Sequence, residues 1–239
     1  MRIYKNTDTL TEVKRGETGT GLLIERDGHV VGNGDLVQQI REDVARGHEF
    51  VIPDRFVVNA IFQKYGVKNA NGRVYPEAIL KKEVENYINT RVRNRSAVGA
   101  LDHPDSTTLS GHDVSHVITE LHWVGKTLVG EMELHLSPGY RRYGICSTTG
   151  DLAANMILDG IQIGVSSRGV GSVEERLGVL EVGNDFELIG WDIVLEPSTP
   201  NAYIARNMED LTQFIESNDS RDAEKVINEK LARVKSILM

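Results

Sequence analysis

Two runs of alternating residues, 117–124 and 128–136, flank the short polar piece Gly125-Lys126-Thr127. Period-two runs joined so tightly pair with each other as an antiparallel hairpin, and a slip of one residue would turn every apolar side chain away from the core. In the second run Leu128, Met132, Leu134 and Leu136 share one face, while Glu131, Glu133 and His135 share the other. The hairpin therefore has a face to bury, and the rest of the chain must supply its cover.

Residues 51–65 read as strand-rich and Asn69-Ala70-Asn71-Gly72 as a turn. Pro76 suits the first position of a helix whose buried stripe is Leu80, Val84, Tyr87 and Ile88. A strand over 97–103 stops at Pro104, and a polar loop carries the chain on to Gly111. A helix is expected over 151–159 with Gly160 as its stop. A strand over 161–166 follows, then two more, the last over 191–196. Residues 50–205 thus form an α+β body of mostly antiparallel strands.

The flanks differ. Residues 1–49 read as an N-terminal extension, with Gly16, Gly19, Gly21, Gly28, Gly32 and Gly34 punctuating short apolar pieces. A helix capped by Asp35 and stopped by Gly47 closes it. Residues 206–239 read as a C-terminal helical extension. Asn207 caps a short helix, and a longer one over 222–238 places Val226, Ile227, Leu231, Val234 and Leu238 at helical spacing.

Hydrophobic residues at 40% and charged residues at 26% suffice for a folded core. Asp and Glu outnumber Lys and Arg by 35 to 27, a formal charge of −8. A general nucleic-acid binder needs the opposite balance, so direct nucleic-acid binding is not expected. The single cysteine, Cys146, leaves no internal disulfide framework and no cysteine-built zinc site. No apolar run reaches the ~18 residues of a membrane span, and the opening MRIYKNTDTL lacks a signal-peptide apolar region. A soluble, intracellular protein is expected.

Three segments carry side chains capable of chemistry. In Gly164-Val165-Ser166-Ser167-Arg168-Gly169 the alternation of Ile161, Ile163 and Val165 sends Ser166 to the opposite face. A hydroxyl there is open to close approach by a substrate backbone, and the same residues also suit an ordinary β-turn. In Gly99-Ala100-Leu101-Asp102-His103-Pro104 the imidazole stands at a loop mouth, either placed to take a proton near neutral pH or simply facing water. In Trp191-Asp192-Ile193-Val194-Leu195-Glu196-Pro197, Asp192 lies inside a strand, where a carboxylate is disfavoured unless paired. It either orients an imidazole or lies on the solvent side of an edge strand. His103, His112 and His116 offer a different reading, a His-ligated metal hydrolase, although the HExxH glutamate is missing.

The blocks AVGALDHP (97–104), IGVSSRGVGS (163–172) and WDIVLEPSTPNAYI (191–204), in this order, resemble the prohead core proteases of phages with contractile tails. NANGRVYPEAILKKEVENYI (69–88) is similar to the segment before that family's histidine, and the likeness spans residues 50–205. The resemblance implies a serine endopeptidase acting inside an immature capsid. It also implies a herpesvirus-protease-like fold, a mostly antiparallel β-barrel core surrounded by helices. By motif position Ser166 would be the nucleophile and His103 the general base. The herpesvirus relatives use a second histidine as third member on a late strand; the corresponding stretch here offers Asp192, with Asp102 and Glu196 as the other acids within reach. Backbone N–H groups at a tight bend around Arg168 and Gly169 would stabilise the oxyanion. The Arg168 side chain would either hold a water there or anchor the loop through a salt bridge. No cofactor and no metal is implied.

The same resemblance names the partners: phage scaffold (prohead core) and capsid proteins as substrates, and further copies of the chain in a homo-oligomer. The place of action would be the prohead interior, in the host cytoplasm. A non-catalytic assembly or scaffolding protein on the same fold is the rival reading. Members of the family cut after Glu in a Leu/Ile-x-Glu pattern, and this chain holds five such sites, ending at Glu12, Glu25, Glu42, Glu120 and Glu229. All but Glu120 lie in the extensions, so autoprocessing is expected there.

Overall fold

The computed structural model describes residues 11–12, 18–31, 42, 45–46, 52, 55–104 and 106–195. Glu196, Glu229 and the helices expected over 207–215 and 222–238 lie outside these residues. Of the helix expected from Asp35, only Glu42, Ala45 and Arg46 fall inside, the first two as helix.

The alternating runs do pair. Strand β6 (Val114–Val124) and strand β7 (Thr127–Leu134) form a hairpin in which Val124 faces Thr127 and Trp123 faces Leu128. Leu128, Met132 and Leu134 are buried, as their shared face requires. Before the hairpin come β1 (Thr11–Glu12), β2 (Gly19–Val31), β3 (Val57–Lys64), β4 (Arg73–Val74) and β5 (Val98–Ala100). After it come β8 (Gly164–Arg176), β9 (Val179–Val182) and β10 (Glu187–Val194). One sheet joins them in the order β4-β9-β8-β2-β3-β7-β6-β5, with β1 on β2 and β10 on β8. The ladders are antiparallel except the short β1–β2 and β4–β9 pairs.

Strand β2 falls within the stretch expected to be an extension, yet it lies between β8 and β3. The apolar run Leu22-Leu23-Ile24 supplies the reason, since Leu23 is fully buried in the core. The sheet-forming part of the chain therefore starts well before residue 50.

The fold is α+β and strand-dominated, but among the described residues the sheet is not a closed barrel. The path curls until β5 reaches β10, where the contact is one parallel bridge, Leu101 to Ile193, rather than a ladder. Strand β5 is only three residues long, and Asp102 just beyond it takes a left-handed backbone with φ 64°. That turn leads the chain off the sheet after a final hydrogen bond from the Asp102 N–H to the Ile193 carbonyl, 2.7 Å.

Helix α1 (Glu77–Tyr87) buries Leu80, Val84 and Tyr87 of the expected stripe, while its fourth member, Ile88, is half-buried and opens a π-helical turn over Ile88–Val92. Its Tyr87 ring meets Trp191 of β10 edge to face at 5.2 Å, and Phe62 of β3 meets the same indole at 5.4 Å. Such contacts contribute about 0.5–1.5 kcal/mol each beyond the area they bury. They hold the Trp191 side chain of β10 between the helix and β3. Two further helices, α2 (Pro138–Tyr143) and α3 (Thr149–Leu158), are tied together by Asp151, whose carboxylate accepts from the amides of Ser137, Ser147 and Thr148. Thr148 accepts the Asp151 amide in return, completing a capping box.

Strand β8 starts at Gly164, three residues later than alternation suggested, and runs on past Ser166 to Arg176, because its glycines are not turn residues. A Cβ at Gly169 would lie 2.4 Å from the Phe186 ring, and one at Gly171 would lie 2.8 Å from the Phe186 backbone. Glycine is needed there so that the chain entering β10 can lie flat on β8.

Candidate active site

Ser166 sits in the part of β8 that pairs with β10, and its direct cross-strand partner is Asp192. Directly opposed residues point to the same face, so the hydroxyl and the carboxylate emerge side by side. His103 arrives from a third direction. It follows β5 and the Leu101–Ile193 bridge, which sets the backbone beside β10. The imidazole Nδ1 is 2.8 Å from Asp192 Oδ2, and Nε2 is 2.5 Å from Ser166 Oγ. With Nδ1–H donating to the carboxylate, Nε2 is left as the acceptor of the serine proton. Ser166 and Asp192 are both 0% exposed, and the imidazole is 10% exposed.

The carboxylate is saturated with donors. Oδ2 accepts from His103 and from Arg168 Nε at 2.7 Å; Oδ1 accepts from the Ala100 amide at 3.0 Å and from Arg168 Nη2 at 3.2 Å. Burial alone would raise the Asp192 carboxyl. The hydrogen bonds from His103 and Arg168, the guanidinium charge and the Ala100 N–H together hold it below the usual carboxylate range. Asp192 therefore stays ionised while buried, and of the two readings open for it, the paired one is observed.

The other candidate residues lie as follows. Ser167 is the next residue on the strand and opposes Trp191, so its side chain takes the other face. Asp102 is exposed and Asp192 occupies the position beside the imidazole. Arg168 and Gly169 do not form a tight bend. Each has register partners on both neighbouring strands, Ile24 and Leu23 on β2 and Gly190 and Leu188 on β10. The Arg168 side chain is 2% exposed, and Nη1 donates to the carbonyls of Ser106 and Thr107 at 3.2 and 3.3 Å. Of its two expected roles, this is the anchoring one.

The three imidazoles do not assemble into a ligand set. His103 is engaged as described, His112 is exposed, and His116 is fully buried. No group of three or more His, Cys, Asp or Glu side chains placed to hold a metal occurs among the described residues. His116 packs beneath Gly99, where a Cβ would lie 2.4 Å from its ring. Of the candidate processing sites, Glu12 pairs with Leu22 in the β1–β2 ladder and Glu25 pairs with Ser167 in the β2–β8 ladder. Sequence reasoning did not single out Ala100 as a donor to the acid. Its only signal is its position three residues before the histidine, on the strand that ends beside β10.

A buried serine and carboxylate on paired strands, bridged by a largely covered imidazole from the loop after β5, have the arrangement used by serine hydrolases. Residues 19–214 match the family model described as prohead core protein serine protease, and the chain belongs to that family. The prohead core protein protease of Enterobacteria phage T4 is 32% identical over 181 residues, covering 74% of this chain and 80% of that protein. The solved structure of the bacteriophage T4 capsid assembly protease matches with a TM-score of 0.58 at 26% identity. That match covers 74% of this chain and 99% of the other.

Proposed function

We propose that this chain is a serine endopeptidase that works inside the phage prohead, in the host cytoplasm. It cuts scaffold and capsid proteins after Glu in Leu/Ile-x-Glu sites, and then itself. The observation that carries the reading is the unbroken series from Ser166 Oγ through the His103 ring to Asp192 Oδ2. Membership of a family described as prohead core serine proteases supports the reaction class and this choice of substrates.

In this mechanism His103 Nε2 takes the Ser166 proton as Oγ attacks the peptide carbonyl carbon. The imidazolium so formed is stabilised by the ionised Asp192, and it then protonates the departing amine. Water repeats the sequence to release the acyl group. Because Ser166 is buried, entry of the peptide requires local opening at the site. The same reading takes the sheet as a herpesvirus-protease-like barrel parted at the β5–β10 seam, and places the enzyme among further copies of itself. Self-cleavage after Glu12 and after Glu229 trims the ends, and a cut after Glu42 parts the chain between β2 and β3. A cut after Glu25 severs the strand that flanks Ser167 and so ends activity.

Co-expression with the phage's scaffold and capsid proteins, followed by mass spectrometry, tests the proposal. Wild type is expected to give fragments ending at Glu, and Ser166→Ala to leave every chain whole. Uncut products in both, or equal cutting in both, would overturn it.

A further inference from the structure

Arg168 lies two residues beyond Ser166 on β8, on the same face, and opposite Gly190 of β10. A buried guanidinium is costly unless its donors are used. Here four contacts use them: two on the Asp192 carboxylate and two on the carbonyls of Ser106 and Thr107. Those carbonyls belong to the segment that leaves the sheet directly after His103. The fork therefore holds two things at once, the acid that orients the imidazole and the backbone just downstream of that imidazole.

We infer that Arg168 is the positioning residue of the site: its fork clamps Asp192 against His103 Nδ1 and pins the segment running from His103, so the imidazole cannot swing away from Ser166. The inference rests on the proposed serine chemistry for its turnover readout, and on geometry alone for its spectroscopic one. A lysine delivers one compact charge and cannot span a carboxylate and two carbonyls, so Arg and Lys are not equivalent here. Tyr87 of α1 and His116 of β6 also lie within electrostatic reach of Asp192, and Arg168 acts on Tyr87.

The experiment uses the full chain as wild type, Arg168→Met and Arg168→Lys. It follows the downfield His103 Nδ1–H signal by NMR, turnover of a Leu-x-Glu peptide, and amide exchange at 106–109. In Arg168→Met the carboxylate and the carbonyls of 106 and 107 lose their shared donor, so the His103 Nδ1–H signal is expected to broaden and move upfield while kcat falls more than roughly tenfold with little change in KM. In Arg168→Lys the charge remains and the signal is expected to stay downfield, while exchange at 106–109 rises and kcat falls roughly tenfold with little change in KM. If Arg168→Met does not fold, Arg168→Lys carries the test through exchange and kcat. A fall in kcat with the signal unchanged in Arg168→Met assigns the guanidinium to the oxyanion and overturns the inference. Faster exchange with kcat and signal both unchanged leaves a merely structural arginine and also overturns it. Turnover that survives Ser166→Ala sinks the serine-protease reading instead, and the NMR signal then judges Arg168 alone.

Discussion

Ser166 and Asp192 oppose each other across the β8–β10 ladder, and the His103 ring spans them, with Nε2 on the hydroxyl and Nδ1 on the carboxylate. The distance between the hydroxyl and the carboxylate is thus set by strand pairing, the stiffest spacing a sheet offers. Only the imidazole depends on a loop.

Asp192→Asn tests the acid. The amide cannot fix the imidazole tautomer as the carboxylate does, so kcat/KM on a Leu-x-Glu peptide is expected to fall by ~10³–10⁴. The same change leaves Arg168 buried without its counter-charge, at a cost of roughly 3–5 kcal/mol in urea unfolding. Activity must therefore be read well below the melting point. A variant with wild-type stability would mean that the buried ion pair is not formed.

Gly99→Ala tests the seam. The new Cβ would lie 2.0 Å from the Trp191 carbonyl oxygen and 2.4 Å from the His116 ring. Strand β5 must move off β10, and His103 moves with it. Overpacking of this kind costs about 1–3 kcal/mol, and turnover is expected to fall further than the lost stability explains. Unchanged melting and unchanged turnover together would contradict the close approach.

His116 makes stability depend on pH. Burial pushes it from 6.5 down to about 4, with Asp192 opposing the shift. As pH falls below 6.5 the unfolded chain binds a proton that the folded protein refuses until about 4, so stability declines across that window. Urea unfolding of wild type between those limits is expected to lose up to ~1.4 kcal/mol per pH unit from this group. His116→Gln is expected to flatten the slope. Equal slopes would show that His116 is not held neutral.

Asp151→Asn tests the joint between α2 and α3. Burial alone would raise the Asp151 carboxyl, but the amides of Ser147, Ser137 and Thr148 hold it below its ordinary range. A depressed carboxyl contributes stability above its unfolded value of ~3.9, and that contribution vanishes as pH falls through the lower folded value. The variant is expected to be less stable by roughly 1–3 kcal/mol at pH 7, with the gap closing in acid. A gap that persists at low pH would assign the loss to packing instead.

Much of the fold was legible because its signals are local. The 117–136 hairpin, the Leu80–Val84–Tyr87 stripe and the stop at Gly160 follow from periods of two and 3.6 and from turn chemistry. The glycines of β8 misled, since Gly169 and Gly171 look like turn residues until Phe186 is seen lying against them. Strand β2 misled likewise: a glycine-punctuated stretch reads as an appendage, although Leu23 is a core residue.

The sequence by itself determined the secondary structure of the hairpin and of α1, and it determined which short blocks carry a hydroxyl, an imidazole and an acid. It left Asp192 poised between an exposed edge and a paired interior, and Arg168 between two jobs. Only the tertiary structure decided those, because strand alternation says which face a side chain takes but not which strand lies beside it. That choice came from contacts far apart in the chain: Trp191 held between Phe62 and Tyr87, and the Leu101–Ile193 bridge that ends β5. Together they place β10 where Asp192 meets both His103 and the guanidinium.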